Sequence, residues 1–266
     1  MIANYHTHTY RCGHAENISE RAYIEKAIEL GIRDLGFSDH SPMPMPKGCD
    51  ICTKNTLLSI RMSMDETDDY VNTLLKLKEE YKNDINIHIG FEVEYFACVF
   101  DELIEYLSQY PTEYIILGQH FSDFDTKHKY YGDRTSREDV LEEYVSQVIK
   151  GIKTGKFTYL AHPDLINYTQ ASLDAYEREA KRLINCANEH KIPLEINFYG
   201  LQQMRNYPTL QFWQIANDIG CDVVFGSDAH FAKNVCDPTA LRFAENLVKS
   251  FPNLNLLENI SLKPIK

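Results

Sequence analysis

Short apolar runs alternate with amphipathic stretches along the whole chain. Ile2–His6, Asp34–Ser38, Ile85–Val93, Tyr114–Gly118, Thr158–Ala161, Pro193–Asn197 and Asp222–Gly226 read as seven strands. They are short, rich in Ile, Leu, Val, Phe and Tyr, and bounded by polar residues. The stretches between them carry apolar residues at helical spacing. One opens at Asn17-Ile-Ser-Glu20, a capping-box pattern, turns Tyr23, Ile24, Ala27 and Ile28 to one face, and stops at Gly31. Another opens at Ser136-Arg-Glu-Asp139, with Val140, Leu141, Tyr144, Val145, Val148 and Ile149 as its stripe. A third covers about Leu173 to His190, with Leu173, Tyr176, Ala180, Leu183, Ile184 and Ala187 inward. Further helices are predicted over Met64–Tyr81, Val99–Ser108, Pro208–Ile219 and Pro238–Ser250.

Strand and helix alternating in this way require a parallel sheet, because a parallel neighbour is reached only through a crossover. Seven units favour a sheet closed into a barrel over an open one. No linker, internal repeat or low-complexity tract interrupts them. Two connections are long: Ser41–Ser63, rich in Pro and Met, and Phe121–Thr135, rich in charge and Tyr. Both follow strand ends, so both are expected to wall a site on that rim.

Composition narrows the class. A chain of 266 residues with 44% hydrophobic residues can bury the interior of one α/β barrel. No apolar run approaches the ~18 residues of a membrane span, and the first residues lack a secretory pattern. The net charge of −12, with no basic block, disfavours a nucleic-acid partner. A small phosphorylated substrate stays open if bound cations reverse the local sign. The seven scattered cysteines fit reduced thiols in a cytoplasmic protein better than a disulfide framework. Cys49-x-x-Cys52 lacks the second pair a zinc site needs, and Cys12 reads as an incidental neighbour of His14.

The candidate chemistry lies at the strand ends. His6-Thr-His8 and Asp228-Ala-His230 each place two metal-ligand side chains at i and i+2, on one face of an extended segment. The second strand ends in Ser38-Asp39-His40, the third contains Glu92, and the fourth ends in Gln119-His120. The fifth ends in His162-Pro-Asp164 and the sixth in Glu195-Ile-Asn197; His14 comes from the first loop. In a parallel barrel all C-terminal strand ends share one rim, where active sites sit. His88, His128 and His190 read instead as ordinary structural or surface histidines.

With these motifs the chain resembles the polymerase-and-histidinol-phosphatase (PHP) superfamily of metal-dependent phosphoesterases. The motifs that carry the likeness are His6-Thr-His8, His14, Ser38-Asp-His40, Glu92, His120, His162-Pro-Asp164 and Ser227-Asp-Ala-His230. Within that superfamily it is most similar to histidinol-phosphate phosphatases of the HisK/HisJ type, through its HTHTxRCGH start, the Gly-Phe-Glu-Val-Glu stretch around Glu92, and Glu195-Ile-Asn197-Phe-Tyr-Gly. The resemblance implies a distorted (β/α)7 barrel, one domain over residues 1–266, and three divalent cations (Zn, Mn or Fe). His6, His8, Glu92 and Asp228 would hold the first. Glu92 would bridge to a second, completed by His120 and His162, and His14, His40 and His230 would hold the third. Glu92, Asp228 and His230 are then the catalytic candidates.

The implied reaction is hydrolysis of L-histidinol phosphate to L-histidinol and inorganic phosphate, in histidine biosynthesis. A hydroxide bridging two cations would attack phosphorus in line with the ester oxygen. Arg205, Asn197, Tyr199 and Arg11 are the substrate-binding candidates, with Lys233 behind them. Tyr130, Tyr131 and Asp133 are expected to meet the alcohol portion. Asp39 and Asp164 are read either as carboxylates that orient imidazoles or as acceptors for loop backbone. The family's strand-four motif is often Gly-Ser-x-His, whereas here it is Gly118-Gln-His120, which leaves the ligand but not the substrate contact near Gln119. The alternatives are another small phosphoester, such as phosphotyrosine or a nucleotide, and a noncatalytic metal-stabilised domain. An amidohydrolase barrel would want a lysine where this chain has His120. The protein is expected as a monomer or small homo-oligomer with no membrane partner.

Overall fold

A computed structural model describes residues 1–44, 59–124, 129–169 and 173–265. Cys49, Cys52 and His128 lie outside them, as do parts of both long connections.

Strands β1 (Ala3–Asn4), β2 (Asp34–His40), β3 (Asn86–Val93) and β4 (Tyr114–Leu117) form one parallel sheet in that order. Strands β5 (Leu194–Asn197), β6 (Cys221–Gly226) and β7 (Leu254–Leu256) form a second, also parallel. Two thin seams join them. On one side Leu160 alone bridges Leu117 and Leu194, and on the other Thr7 pairs with Ala229. The result is the distorted, mostly closed barrel that the strand pattern implied.

Two differences from the expected strands have local causes. Thr158–Ala161 stands in its place in the barrel and is hydrogen-bonded to both neighbours, Leu117 N to Tyr159 O at 3.1 Å and Glu195 N to Leu160 O at 2.9 Å. It pairs through Leu160 only, so no ladder forms. Leu254–Leu256, whose Leu-Asn-Leu pattern is too short and polar to read as a strand, pairs with Cys221–Val223.

The helices follow the predicted stripes. α1 (Glu20–Glu29) starts two residues later than the capping-box pattern implied, because Ser19, not Asn17, is its N-cap and accepts from Arg21 N. α2 (Thr67–Glu80) and α3 (Phe100–Leu107) flank the first sheet. α4 (Glu138–Lys153) buries all six residues of its predicted stripe and packs against α5 (Leu173–Glu189), although Leu173 itself is exposed. Each fully buried Leu, Ile or Val there stabilises the fold by about 1.5–3 kcal/mol. α6 (Phe198–Gln202), α7 (Leu210–Ile219) and α8 (Pro238–Ser250) complete the described helices. None of those helices is long and apolar enough to cross a membrane.

The barrel has its own filling. Tyr5, Tyr114, Ile116, Tyr159, Ala161 and Val224 pack together with Leu257, Ile260 and Leu262 of the C-terminal segment. The Tyr114 hydroxyl donates to Tyr5 O at 2.8 Å, and Tyr5 in turn bonds to Asn259. This apolar plug leaves polar side chains at the opposite rim as the lining of one site.

Candidate metal centre

Backbone pairing explains why separate motifs meet. The Thr7–Ala229 bridge, with His8 N to Ala229 O at 3.0 Å, turns His6 and His8 to the same side as Asp228 and His230. In the β2–β3 register His40 stands level with Glu92. Gly118, just past β4, leaves room for that carboxylate, since a Cβ there would sit 1.8 Å from Glu92 Oε1.

One group is His6, His8, Glu92 and Asp228. His6 Nε2 and His8 Nε2 each lie 3.5 Å from Glu92 Oε2, and 3.6 and 3.1 Å from Asp228 Oδ1. Donors on bonds of about 2.0–2.2 Å around a tetrahedral cation stand about 3.4 Å apart. Among the described residues, His6 Nε2 and His8 Nε2 are buried and have no hydrogen-bond partner. Glu195 Oε1 holds His6 Nδ1 at 2.8 Å, and Asp39 Oδ1 holds His8 Nδ1 at 3.3 Å. A carboxylate only accepts, so each Nδ1 donates and each Nε2 faces Glu92 and Asp228, where a bound cation would take its lone pair. These orphaned atoms fit a divalent cation.

Electrostatics point the same way. Burial opposes a charge on His6, but Glu195, Asp228 and Glu92 outweigh it and push the imidazole up to about 10. Burial likewise opposes ionisation of Glu92, yet His40, His120 and His6 hold it well below the usual carboxylate range. Burial opposes Asp228 too, and His6 and His8 hold it down. Buried carboxylates packed this closely demand positive charge beside them.

A second group surrounds the same carboxylate. His162 Nε2 lies 2.9 Å and His120 Nε2 3.7 Å from Glu92 Oε1, and His40 Nδ1 lies 2.9 Å from Oε2. His40 thus stands between Glu92 and the expected set with His14 and His230, its ring 5.3 Å from that of His14. The β2–β3 register puts it on Glu92, in one cluster with His120 and in another with His8 and His230. In the third group His14 Nε2 and His230 Nε2 face each other at 2.8 Å. His162 and Asp228 have left-handed backbone, φ 29° and 48°, a conformation that costs about 1–3 kcal/mol in a non-glycine residue.

Above these donors lies a cavity of about 310 Å³, lined by His14, His40, Glu92, His120, Asp228 and His230 and walled by Ile60, Phe121, Tyr130, Tyr199, Tyr207 and Arg205. Tyr199 packs on the His230 ring at 4.7 Å and hydrogen-bonds Arg205. Arg205 and Tyr199 thus reach the site. Tyr130 does too, whereas Tyr131 is buried with its hydroxyl on Gln147, and Asp133 does not line the cavity.

Two substrate-binding candidates take other positions. Arg11 is buried, and Glu20, Asp69 and Thr9 accept its guanidinium N–H groups, so it turns away from the cavity. Asn197 spends its amide on Glu195 Oε2 and Asp228 Oδ2, at 2.8 and 3.1 Å, and its Oδ1 accepts from Gly200 N as the cap of α6. Lys233 lines a different groove, beside Phe231. Asp39 orients His8, while Asp164 accepts from Thr209 N and anchors loop backbone. The Gln119 amide bonds Tyr95 N and Phe121 O, which explains why it offers no substrate contact. Cys12 is fully buried and clusters with His14 and His230.

Residues that sequence reasoning missed are mostly supports. Glu195 holds His6 and His162 N, and Glu94 accepts from His120 N and Phe121 N while pairing with Arg61. The available signal was strand parity, since Glu94 shares a face with Glu92 and Glu195 with Asn197. Ile60 and Phe121 come from the two long connections expected to wall the rim, whereas Tyr207 carried no signal.

A model of the PHP domain matches residues 4–198. The chain belongs to the PHP domain family. Among its relatives, the histidinol-phosphatase of Bacillus subtilis (strain 168) is 28% identical over 257 residues, covering 86% of this PHP chain and 94% of that protein. HisK from Listeria monocytogenes superposes with a TM-score of 0.73 at 22% identity, over 90% of this chain and 99% of the other. Histidinol phosphate phosphatase (HisK) from Lactococcus lactis, solved with zinc, L-histidinol and phosphate, gives 0.69 at 19% identity, over 97% and 96%. At that identity the two structures carry the barrel fold.

Proposed function

We propose that this PHP chain is a metal-dependent phosphomonoesterase that hydrolyses L-histidinol phosphate to L-histidinol and inorganic phosphate. The observation that carries the reading is the convergence of buried His6 Nε2 and His8 Nε2, without hydrogen bonds among the described residues, on Glu92 and Asp228 beneath a small cavity with an arginine in its wall. The Bacillus relative matches nearly end to end under that activity, and the Lactococcus neighbour holds the two products with zinc.

His6, His8, Glu92 and Asp228 are the proposed ligands of one cation, Glu92 with His120 and His162 of a second, and His14, His40 and His230 of a third, with His40 also in reach of Glu92. Bound Zn, Mn or Fe would supply Lewis acidity toward phosphoryl oxygens and an acidified water as nucleophile at neutral pH. The chain's own residues do the remaining work. Arg205 donates to phosphoryl oxygens, where charge-assisted bonds fix orientation. Tyr130, Tyr199 and Tyr207 enclose the alcohol portion and exclude bulk water. Glu92 and Asp228 orient the donor set, and His230 stands at the cavity floor. A volume of about 310 Å³ suits a small monoester. The acidic chain then depends on its cations to attract an anion. The proposed reaction would belong to histidine biosynthesis, with the protein acting in the cytoplasm.

The test is a panel of L-histidinol phosphate, phosphotyrosine and a nucleoside monophosphate, assayed with the zinc-, manganese- and iron-loaded protein. Histidinol phosphate should give the highest kcat/KM by at least tenfold. Preference for either other ester, or no phosphate release from any, overturns the reading.

A further inference from the structure

Three of the proposed ligands stand where the barrel is thinnest. His6 and Asp228 flank the single Thr7–Ala229 bridge, and His162 follows Leu160, which makes one bridge to each neighbour. Backbone ladders, which fix side-chain positions elsewhere in the barrel, are absent at both seams among the described residues. One buried carboxylate spans this gap. Glu195 Oε1 lies 2.8 Å from His6 Nδ1, and Oε2 accepts from His162 N at 3.0 Å and from Asn197 Nδ2 at 2.8 Å. The same Asn197 amide reaches Asp228 Oδ2 at 3.1 Å, and its Oδ1 is fixed by Gly200 N. The fold makes room for this arrangement at Gly226, where a Cβ would stand 1.8 Å from Glu195 Oε1.

We propose that Glu195 is a positioning residue whose carboxylate, through Asn197, clamps His6, His162 and Asp228 across both seams and so sets how tightly the centre holds divalent cations. Two effects combine. Glu195 accepts the His6 Nδ1 proton and leaves the Nε2 lone pair free toward the cation. Asn197 occupies the outer oxygen of Asp228 and leaves Oδ1 toward His6 and His8. Both oxygens of Glu195 face donors, so an amide in its place turns an N–H onto His6 Nδ1, His162 N or Asn197 Nδ2. This inference rests on the metal-centre reading above.

The test compares wild-type protein with Glu195→Gln and Gly226→Ala after chelation. Zinc affinity is measured by competition with a chromogenic chelator, the cobalt-loaded forms are compared by visible absorption, and the metal-free forms by thermal melting. Both variants should bind zinc about 10–100-fold more weakly than wild type and show altered cobalt spectra, with cooperative melting of the metal-free protein retained. Wild-type zinc affinity with an unchanged cobalt spectrum in Glu195→Gln overturns the clamp. So does a Gly226→Ala protein that melts like wild type and binds zinc equally well, an arm that stands if Glu195→Gln does not fold. If wild-type protein itself takes up no cation, the metal-centre reading fails instead.

Discussion

His14 Nε2 and His230 Nε2 face each other at 2.8 Å, and the Nδ1 of each ring bonds a backbone carbonyl, Cys12 O at 2.9 Å and Asp228 O at 3.0 Å. Carbonyls only accept, so both Nδ1 atoms carry protons and both Nε2 atoms present lone pairs to each other. Burial and the neighbouring His8 hold both imidazoles below their usual range, which disfavours a shared proton. A cation resolves the conflict. His14→Ala should lower bound metal by roughly one ion per chain while the metal-free protein melts as wild type does. Elemental analysis of the reloaded variant checks this.

That pair was legible only in part. His6-Thr-His8 and Asp228-Ala-His230 announce themselves by i, i+2 spacing, and alternating strands and helices place such ends on one rim. Register is not written in the spacing. Nothing in Asp39-His40 says that His40 stands level with Glu92 as well as beside His14 and His230. Arg11 looked free because its acceptor Asp69 is 58 residues away, and Asn197 because Asp228 is 31 residues away. The Leu254–Leu256 strand exists only because Cys221–Val223 offers it an edge.

Gly118 tests Glu92 without touching a ligand. Its missing Cβ is the space that Glu92 Oε1 occupies, and Glu92 is shared by His6, His8, His40, His120 and His162. Gly118→Ala should reduce metal affinity and kcat by about 10–100-fold. Glu92→Ala should abolish turnover while leaving a folded chain by circular dichroism.

Among the described residues, Arg205 is the one arginine in the cavity lining. A charge-assisted bond to phosphate contributes about 1.5–3 kcal/mol, so Arg205→Ala should lower kcat/KM by roughly 10–100-fold. Arg205→Lys should recover part of that loss. Equal kcat/KM in wild type and Arg205→Ala would remove this residue from substrate binding.

His88 supplies a pH dependence remote from the cavity. Burial lowers its pKa, but Glu113 and Asp34 outweigh it and raise the imidazole above its ordinary value; Asp34 lies 3.1 Å away and Glu113 3.5 Å. A raised folded pKa contributes stability that is full below the unfolded value of about 6.5 and is lost as pH rises through the folded value. In chelated protein, the melting difference between wild type and His88→Gln should be largest in mild acid and shrink toward alkaline pH. A difference that grows with pH would reverse the assigned sign.

The most direct measurement titrates chelated protein with zinc or manganese while phosphate release from L-histidinol phosphate is recorded. Turnover should be absent without metal and climb to a plateau as the His6, His8, Glu92 and Asp228 donors fill. Phosphate release that survives complete chelation, or none at saturating metal, would contradict the account.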